Sequence, residues 1–210
     1  MPLKIAIDVG TKHLAICAIR CSPNAGGDRT LLAAKRRLAE CEVLLWEVVA
    51  LELPKRPSFA NHAEAVAAFV AQRRGLFEQA SVVVIEQQMQ ATMRAVAAAL
   101  FAAIRMIATC ELQSQQSKLK LEWSDLSVVA DDISTYARRK RAAVLAAHYL
   151  LDAKPQRSRL PPPNQSASAT VLISSRKQDD LADALLHILA FDLRPTKRRR
   201  TQVACGPEVA

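Results

Sequence analysis

The sequence predicts a single α/β domain. Two apolar runs, at 3–7 and 82–85, have the length and composition of buried strands, and a carboxylate follows each of them. Segments with the apolar spacing of helices separate these runs and continue to about residue 191. The chain has 210 residues, a length that suits one domain with a substantial core and leaves little room for a second.

The first part of the chain is predicted to form a meander of three strands. Leu3–Val9 is an apolar strand, Gly10–Lys12 is a tight turn, and His13–Arg20 is the antiparallel partner. This hairpin places Asp8 at its turn end. The elements that follow are a loop at 22–29, a short helix at 31–40 and a strand at 43–51.

The middle of the chain alternates helix and strand. Two prolines end the third strand, after which Asn61 can cap a helix that runs toward Phe77. Residues 81–86 then form a fully apolar strand. Almost every residue from 92 to 112 is apolar, so we expect a helix buried on most of its circumference, either as the central helix of the core or as a dimer interface.

The last part of the chain contains a basic helix. A strand at 126–130 precedes this helix, which covers 136–151, and a loop at 154–170 leads to a final helix at 178–191. Four positive charges near a helix N-terminus oppose the macrodipole, which favours a role in ligand binding; a solvated basic face is the alternative. These side chains are Arg138, Arg139, Lys140 and Arg141.

Acidic side chains occur at three places where their negative charge has to be balanced. Asp8 and Glu86 each follow a buried strand, and the last helix opens with Asp179, Asp180 and Asp183. A lone carboxylate beside apolar strands is costly unless it is paired or binds a metal, so the three places indicate a shared cation. Asp180 and Asp183 share a helix face, whereas Asp179 points about 100° away from Asp180. Complementing the helix dipole is the alternative role for the last cluster.

The overall charge points to a polyanionic partner. The chain has 29 Lys and Arg against 20 Asp and Glu, for a formal charge of +9, so nucleic acid is the simplest expectation. We assign 1–192 to the domain and 193–210 to a basic, flexible tail. The tail could be a nuclear address, an arm that grips phosphates, or a solvated end.

Cysteine usage and hydropathy suggest the cellular setting. The five cysteines have no CxxC spacing and their number is odd, so we expect free thiols in a reducing compartment. A zinc site of His13, Cys17, Cys21 and Cys41 matches no standard spacing. The first strand begins at Leu3, and no apolar run approaches the roughly 20 residues that span a bilayer. We therefore expect a soluble, intracellular protein with no membrane partner.

Four motifs together carry a family resemblance. The runs IAIDVGTKHLAICAI, VVVIEQQMQ, YARRKRAAV and RKQDDLADALL resemble those of Holliday junction resolvases of the RuvC type. The likeness is greatest to the poxvirus and large-DNA-virus branch, with mitochondrial resolvases as cousins, and it extends from residue 3 to about residue 191. It implies an RNase H-like fold, with a mixed central sheet flanked by helices, and a homodimer that cuts a four-way DNA junction.

The resemblance also implies roles for individual residues. Lys140 matches a lysine that acts near the cleaved phosphate, and Lys12 with three arginines would contact DNA. Two Mg²⁺ ions, which Mn²⁺ can replace, would be held by four acids. The acids at the matching positions are Asp8, Glu86, Asp180 and Asp183, and the arginines are Arg138, Arg139 and Arg141.

The sequence departs from the family pattern at two places. Gln87, Gln88 and Met89 follow Glu86, where viral relatives carry basic residues. His13 stands where several relatives have Asn. These differences concern contacts with the substrate and leave the four acids unaffected.

Other functions compete with junction resolution. A different RNase H-like nuclease, acting on RNA–DNA hybrids or other branched DNA, would use the same fold and metals. The run IAIDVGTKH also resembles the phosphate loop of phosphotransferases of the actin, Hsp70 and sugar-kinase superfamily. That fold needs glycine-rich turns in a second lobe, and the glycines here are at 10, 26, 27, 75 and 206 only. A catalytically idle DNA-binding scaffold is disfavoured because all four acids are present.

Overall fold

A five-stranded mixed sheet forms the centre of the molecule. The computed structural model describes residues 1–23, 28–114, 136–152, 172, 175 and 177–194. The strands are β1 (Leu3–Val9), β2 (His13–Arg20), β3 (Glu42–Ala50), β4 (Ala80–Gln87) and β5 (Cys110–Ser114). They lie side by side in the order β3-β2-β1-β4-β5.

The sheet changes from antiparallel to parallel at β1. This strand pairs antiparallel with β2 and parallel with β4. At the two edges, β3 is antiparallel to β2, and β5 is parallel to β4. In the pairing of β1 with β4, Ile7 lies opposite Ile85. The next residues, Asp8 and Glu86, therefore lie side by side near the carboxyl ends of these two parallel strands, at the same edge of the sheet.

Helices cover both faces of the sheet. In the described part of the chain they are α1 (Leu31–Ala39), α2 (Phe59–Gln72), α3 (Arg74–Glu78), α4 (Ala91–Arg105), α5 (Tyr136–Leu150) and α6 (Gln178–Asp192). One face carries a core shared with α1, α5 and α6, and the other carries a core shared with α2, α3 and α4. The expected α/β architecture is confirmed.

The central strands are apolar on both sides because both faces are covered. In β1, Ile5 and Ile7 pack into the core of α2 to α4, whereas Ala6 packs into the core of α1, α5 and α6. This is the period-2 alternation of a strand, with an apolar residue at nearly every position. The sequence showed these strands as continuous apolar runs for the same reason.

The last helix is the most deeply buried helix of the described part. Every residue of α6 from Leu181 to Asp192 is buried, and the helix packs across β1 and β2. Its first turn also receives a hydrogen bond from the sheet, since Trp46 Nε1 on β3 donates to Leu181 O at 2.9 Å. The acidic start of α6 is therefore fixed relative to the ends of the strands.

Two helix boundaries differ from those predicted. The cap of α2 is Ser58, whose hydroxyl accepts from the backbone of Asn61 while the Asn61 side chain accepts from the backbone of Ser58. Asn61 is thus the third residue of a capping box, and its prediction as the cap was wrong by three positions. A short helix, α3, separates α2 from β4, because the chain turns at Arg73.

The predicted helix at 92–112 was too long. It ends at Arg105, and β5 begins at Cys110. Its burial is also one-sided: the buried residues of α4 are Val96, Ala97, Leu100 and Ile104. An apolar run does not distinguish a helix from a strand, and here the free edge of β4 offers a parallel ladder to the last part of the run.

The expectation of free thiols was wrong for one pair of cysteines. Cys21 and Cys41 form a disulfide, with their Cα atoms 4.5 Å apart. Cys21 directly follows Arg20, and Cys41 directly precedes Glu42. Arg20 and Glu42 are paired across β2 and β3. Strand register therefore brings together two cysteines that are distant in sequence. Cys17 is free and buried, so the zinc site weighed for His13 and three cysteines does not form.

Several predictions concern parts of the chain outside the described residues. These are the strand at 126–130, the loop at 154–170 and almost all of the tail at 193–210. Among the described helices, none is both long enough and apolar enough to cross a membrane.

Candidate active site

Carboxylates from three separate elements meet in one cleft. Its volume is about 820 Å³, and Asp8 of β1, Glu86 of β4, and Asp180 and Asp183 of α6 all line it. Lys140 of α5 lines the same cleft. Asp179 is not among its lining residues, as the helical spacing predicted. The structure thus brings together the four acids and the lysine that the sequence had singled out.

Asp8 and Glu86 form the sheet side of the cleft. They are 8% and 3% exposed, and their side chains are hydrogen bonded to each other. Burial, the hydrogen bond to Glu86 and the charges of Glu86 and Asp183 raise the pKa of Asp8 well above its ordinary value. Two carboxylates in this position cannot both ionise cheaply without a cation.

Lys140 forms the other side of the cleft, together with the start of α6. Its Nζ lies 2.9 Å from Asp183 Oδ2, 3.2 Å from Asp180 Oδ1 and 3.4 Å from Asp179 Oδ2. Burial lowers the pKa of Lys140, but the charges of Asp183 and Asp8 outweigh this effect, and the pKa lies above its ordinary value. Lys140 therefore stays charged and balances part of the negative charge on α6.

The donor set fits a hard divalent cation. The four cleft acids offer only carboxylate oxygens, the donors that Mg²⁺ and Mn²⁺ prefer over nitrogen and sulfur. Within the described residues, no three Asp, Glu, His or Cys side chains already surround a common point. The negative charge of the cluster is met instead by Lys140, whose charge lowers the pKa of Asp8 against the other contributions.

Positive side chains stand at the rim of the cleft. Lys12, in the turn between β1 and β2, and Arg139, on the exposed side of α5, line it. Arg138 and Arg141 are exposed on the same helix but are not lining residues. The structure therefore brings two of the expected DNA-contacting side chains, besides Lys140, to the cleft itself.

Three residues at the site were not identified from the sequence as functional. Lys177 lines the cleft, and its Nζ lies 3.6 Å from Asp180 Oδ2. Gln88 Nε2 donates to Glu86 Oε2 at 2.6 Å, and His187 Nε2 lies 3.0 Å from Glu86 Oε1. His187 lies four residues after Asp183, so helical spacing was an available signal, whereas nothing in the sequence pairs it with Glu86.

Comparison with solved structures identifies the fold class of the chain. No protein-family profile matches the sequence, and no curated protein matches it. Among solved structures, the yeast mitochondrial Holliday junction resolvase Ydc2 matches with a TM-score of 0.58 and 13% identity, over 90% of this chain and 78% of that one. Thermus thermophilus RuvC, solved with a Holliday junction substrate, matches with a TM-score of 0.50 and 15% identity, over 93% of this chain and 98% of that one. At these identities the likeness shows a shared RNase H-like fold.

Proposed function

We propose that this chain is a metal-dependent endonuclease that resolves four-way DNA junctions by symmetric paired nicks. The observation that carries the proposal is the meeting of Asp8, Glu86, Asp180 and Asp183 in one cleft of an RNase H-like fold. The specificity of the chain for junctions is supported by the resemblance of the four motifs to RuvC-type resolvases, including the viral branch. Both structural neighbours act in the same context: Ydc2 is a Holliday junction resolvase, and Thermus thermophilus RuvC was solved with a Holliday junction substrate.

The four acids would hold two Mg²⁺ ions, or Mn²⁺ in their place. Such a pair of metals supplies an activated water and stabilises the leaving 3′ oxygen. Asp8 and Glu86 would hold the metals from the sheet side and Asp180 and Asp183 from α6. The rigid placement of β1, β4 and α6 in the core keeps the carboxylates in position before the substrate arrives.

Lys140 would contact the cleaved phosphate. It is charged, faces the acids and lines the cleft. A cation at this point can neutralise charge that builds up on the phosphate in the transition state.

The basic rim would bind the arms of the junction. Lys12 and Arg139 line the cleft, while Arg138 and Arg141 extend the positive surface of α5 away from it. Contacts with phosphates set the position of the protein on DNA without reading bases. Aromatic residues are 4% of the chain, so recognition would rest on phosphates and junction shape more than on base stacking.

Symmetric cutting requires two active sites. A homodimer with an isologous interface would place them on the two strands related by the junction's symmetry. In this assembly, 1–192 would be the catalytic domain and the basic tail at 193–210 an additional contact with phosphates.

The decisive experiment compares substrates and metals. The purified protein is incubated with an end-labelled immobile four-way junction, a linear duplex of the same sequence and an RNA–DNA hybrid, each with Mg²⁺ or EDTA. Denaturing gels should show paired symmetric nicks in the junction only, and only with Mg²⁺. Preferential cutting of the hybrid would favour another RNase H-like nuclease, and absence of any metal-dependent cutting would contradict the proposal.

A further inference from the structure

We infer that His187 and Gln88 are positioning residues that hold Glu86 in its metal-binding orientation, an inference that rests on the proposed function. Each of them approaches a different oxygen of the Glu86 carboxylate. Neither belongs to the acids and bases identified from the sequence. Together they would prevent the carboxylate from rotating away from Asp8.

His187 approaches Glu86 from inside the protein. It is 1% exposed, and it follows Asp183 by one turn on the same face of α6. Its Nε2 lies 3.0 Å from Glu86 Oε1, although the approach does not meet hydrogen-bond angles. Catalytic hydrogen bonds are often poorly aligned before the ligand binds, and they tighten when it does. A carboxylate only accepts hydrogen bonds, so this contact requires the imidazole to carry hydrogen on Nε2.

His187 has no competing partner in the part of the chain that the structure describes. Its Nδ1 is buried there without a hydrogen bond. A buried imidazole with an unpaired nitrogen is costly in a core that apolar side chains could fill. The buried polar side chains near it include Asp183, one turn earlier on α6, and Glu86, so the ring belongs to the polar cluster beside the cleft although Leu186 and Ile188 next to it in sequence are apolar. Its contact with Glu86 is the feature that accounts for it.

Gln88 approaches Glu86 from the side of the loop after β4. It is 4% exposed, and its Nε2 donates to Glu86 Oε2 at 2.6 Å. It follows Glu86 by two residues, so the chain itself keeps the amide close to the carboxylate. A neutral amide at this position can donate to Glu86 without adding a positive charge that would oppose a bound metal ion.

Gln88 lines the cleft, but its amide nitrogen donates to Glu86 and so acts on that carboxylate. His187 acts through Glu86 rather than by binding the metal itself. His187 is not among the residues that line the cleft, so Glu86 separates it from the metal position. Side chains that orient a metal ligand typically contribute about 10–100-fold to metal affinity or activity. The expected effect of removing the His187 donor is a loss of metal affinity within that range.

The test measures Mn²⁺ binding to the full chain, without DNA, by isothermal titration and by the electron paramagnetic resonance of free Mn²⁺. His187→Leu removes the donor, whereas His187→Gln keeps an amide donor near the Nε2 position. We expect the Mn²⁺ dissociation constant to rise about 10–100-fold in His187→Leu and to return to within about threefold of wild type in His187→Gln. Unfolding in EDTA checks that both variants are folded.

A second variant covers the case in which His187→Leu does not fold. Gln88→Met keeps the length of the side chain and removes its donor, and it should weaken Mn²⁺ binding about tenfold or more. Binding within threefold of wild type in Gln88→Met and in every folded His187 variant would overturn the inference, as would equal loss in His187→Leu and His187→Gln.

Glu86→Gln separates this inference from the proposed function. If wild type binds Mn²⁺ and Glu86→Gln does not, the metal centre stands, and the His187 and Gln88 variants decide the inference alone. If wild type and Glu86→Gln bind Mn²⁺ equally, Glu86 is not a metal ligand, and the proposed metal centre fails together with the inference.

Discussion

Asp8 combines two properties that conflict in the absence of a metal. It is buried beside Glu86, and its pKa is raised by burial, by that hydrogen bond and by the charges of Glu86 and Asp183. A cleft that destabilises its own carboxylates is ready to bind a cation. The same arrangement makes the metal-free protein less stable than it could be, which is a frequent cost of functional sites.

We expect Asp8→Asn to stabilise the metal-free protein. Because the pKa of Asp8 is higher in the folded state than its ordinary value of 3.8, its contribution to stability is fully present below that value and is lost as the pH rises through the raised pKa. The neutral amide avoids this loss. At neutral pH in EDTA, calorimetry should show a melting temperature higher by about 2–4 °C, which corresponds to about 1 kcal/mol in a chain of this size.

The stability gain should come with a loss of function. Mg²⁺ should raise the melting temperature of wild type and leave that of Asp8→Asn nearly unchanged, and junction cutting should be abolished while junction binding persists. A less stable Asp8→Asn in EDTA, or one with normal cutting, would contradict this account of the site.

Asp180 and Asp179 provide a matched pair on one helix. Asp180 lines the cleft, whereas its neighbour does not, although both lie near Lys140. We expect Asp180→Asn to reduce junction cutting by at least about 100-fold, because it removes a proposed metal ligand, and Asp179→Asn to reduce it by less than about tenfold. Single-turnover cleavage at saturating Mg²⁺ compares them. Inactive Asp179→Asn with active Asp180→Asn would show that the other face of α6 serves the site.

At the scale of elements, the hairpin between β1 and β2 depends on Gly10. Its backbone N–H donates to His13 O at 3.0 Å, and a Cβ added there would lie 2.7 Å from that oxygen. This distance is too short for any side chain, so an alanine would force the turn open. The turn follows Asp8 by two residues and carries Lys12 to the cleft.

We expect Gly10→Ala to destabilise the fold by about 1–3 kcal/mol through this clash. Gly75→Ala is the matched control, because it lies in α3 and an added Cβ meets no heavy atom within 4 Å. Alanine is preferred over glycine in helices by about 1 kcal/mol, so the control should be neutral or stabilising. Urea unfolding measures both, and equal destabilisation would show that the turn tolerates a side chain.

Elements with strong local signals were predicted with nearly correct bounds, and the errors came from competition between elements. The hairpin, β4, α5 and α6 follow from apolar runs and spacing within each segment. The boundary between α4 and β5 does not, because Cys110–Ser114 becomes a strand by pairing with β4. The sequence of that segment gives no information on whether the edge of β4 is free to pair with it.

At the scale of the whole molecule, a buried charge cluster connects distant parts of the chain. Asp192, at the end of α6, pairs with Lys4 of β1 and with Arg37 of α1, whose Nε lies 2.5 Å from Asp192 Oδ2. Arg37 also donates to the carbonyl of Ser22. The cluster thus connects the C-terminal end of α6 to β1 and α1, while the other end of the helix serves the cleft.

We expect Asp192→Asn to lower stability without affecting the proposed metal site. Removing one partner of a buried ion pair leaves uncompensated charge and typically costs about 3–5 kcal/mol. Mn²⁺ affinity of the folded variant should stay within about threefold of wild type, because Asp192 lies more than two turns of helix beyond Asp183. Guanidinium unfolding and isothermal titration test the two statements. A large loss of Mn²⁺ affinity would show that the cluster and the cleft are coupled.

The sequence by itself predicted the fold class and the main strands and helices, and it singled out the four acids and Lys140 that the structure brings to one cleft. Strands, helix faces and buried carboxylates each have a physical signature in a short stretch of residues, whereas the choice of Lys140 rests on the resemblance of its motif to RuvC-type resolvases. The tertiary structure alone decided that Cys21 meets Cys41, that β5 extends the sheet, and that His187 and Gln88 approach Glu86. Each of these contacts depends on strand register or on the packing of a helix against the sheet. Such contacts are stabilised only when two segments come together, so the sequence of either segment alone does not predict them.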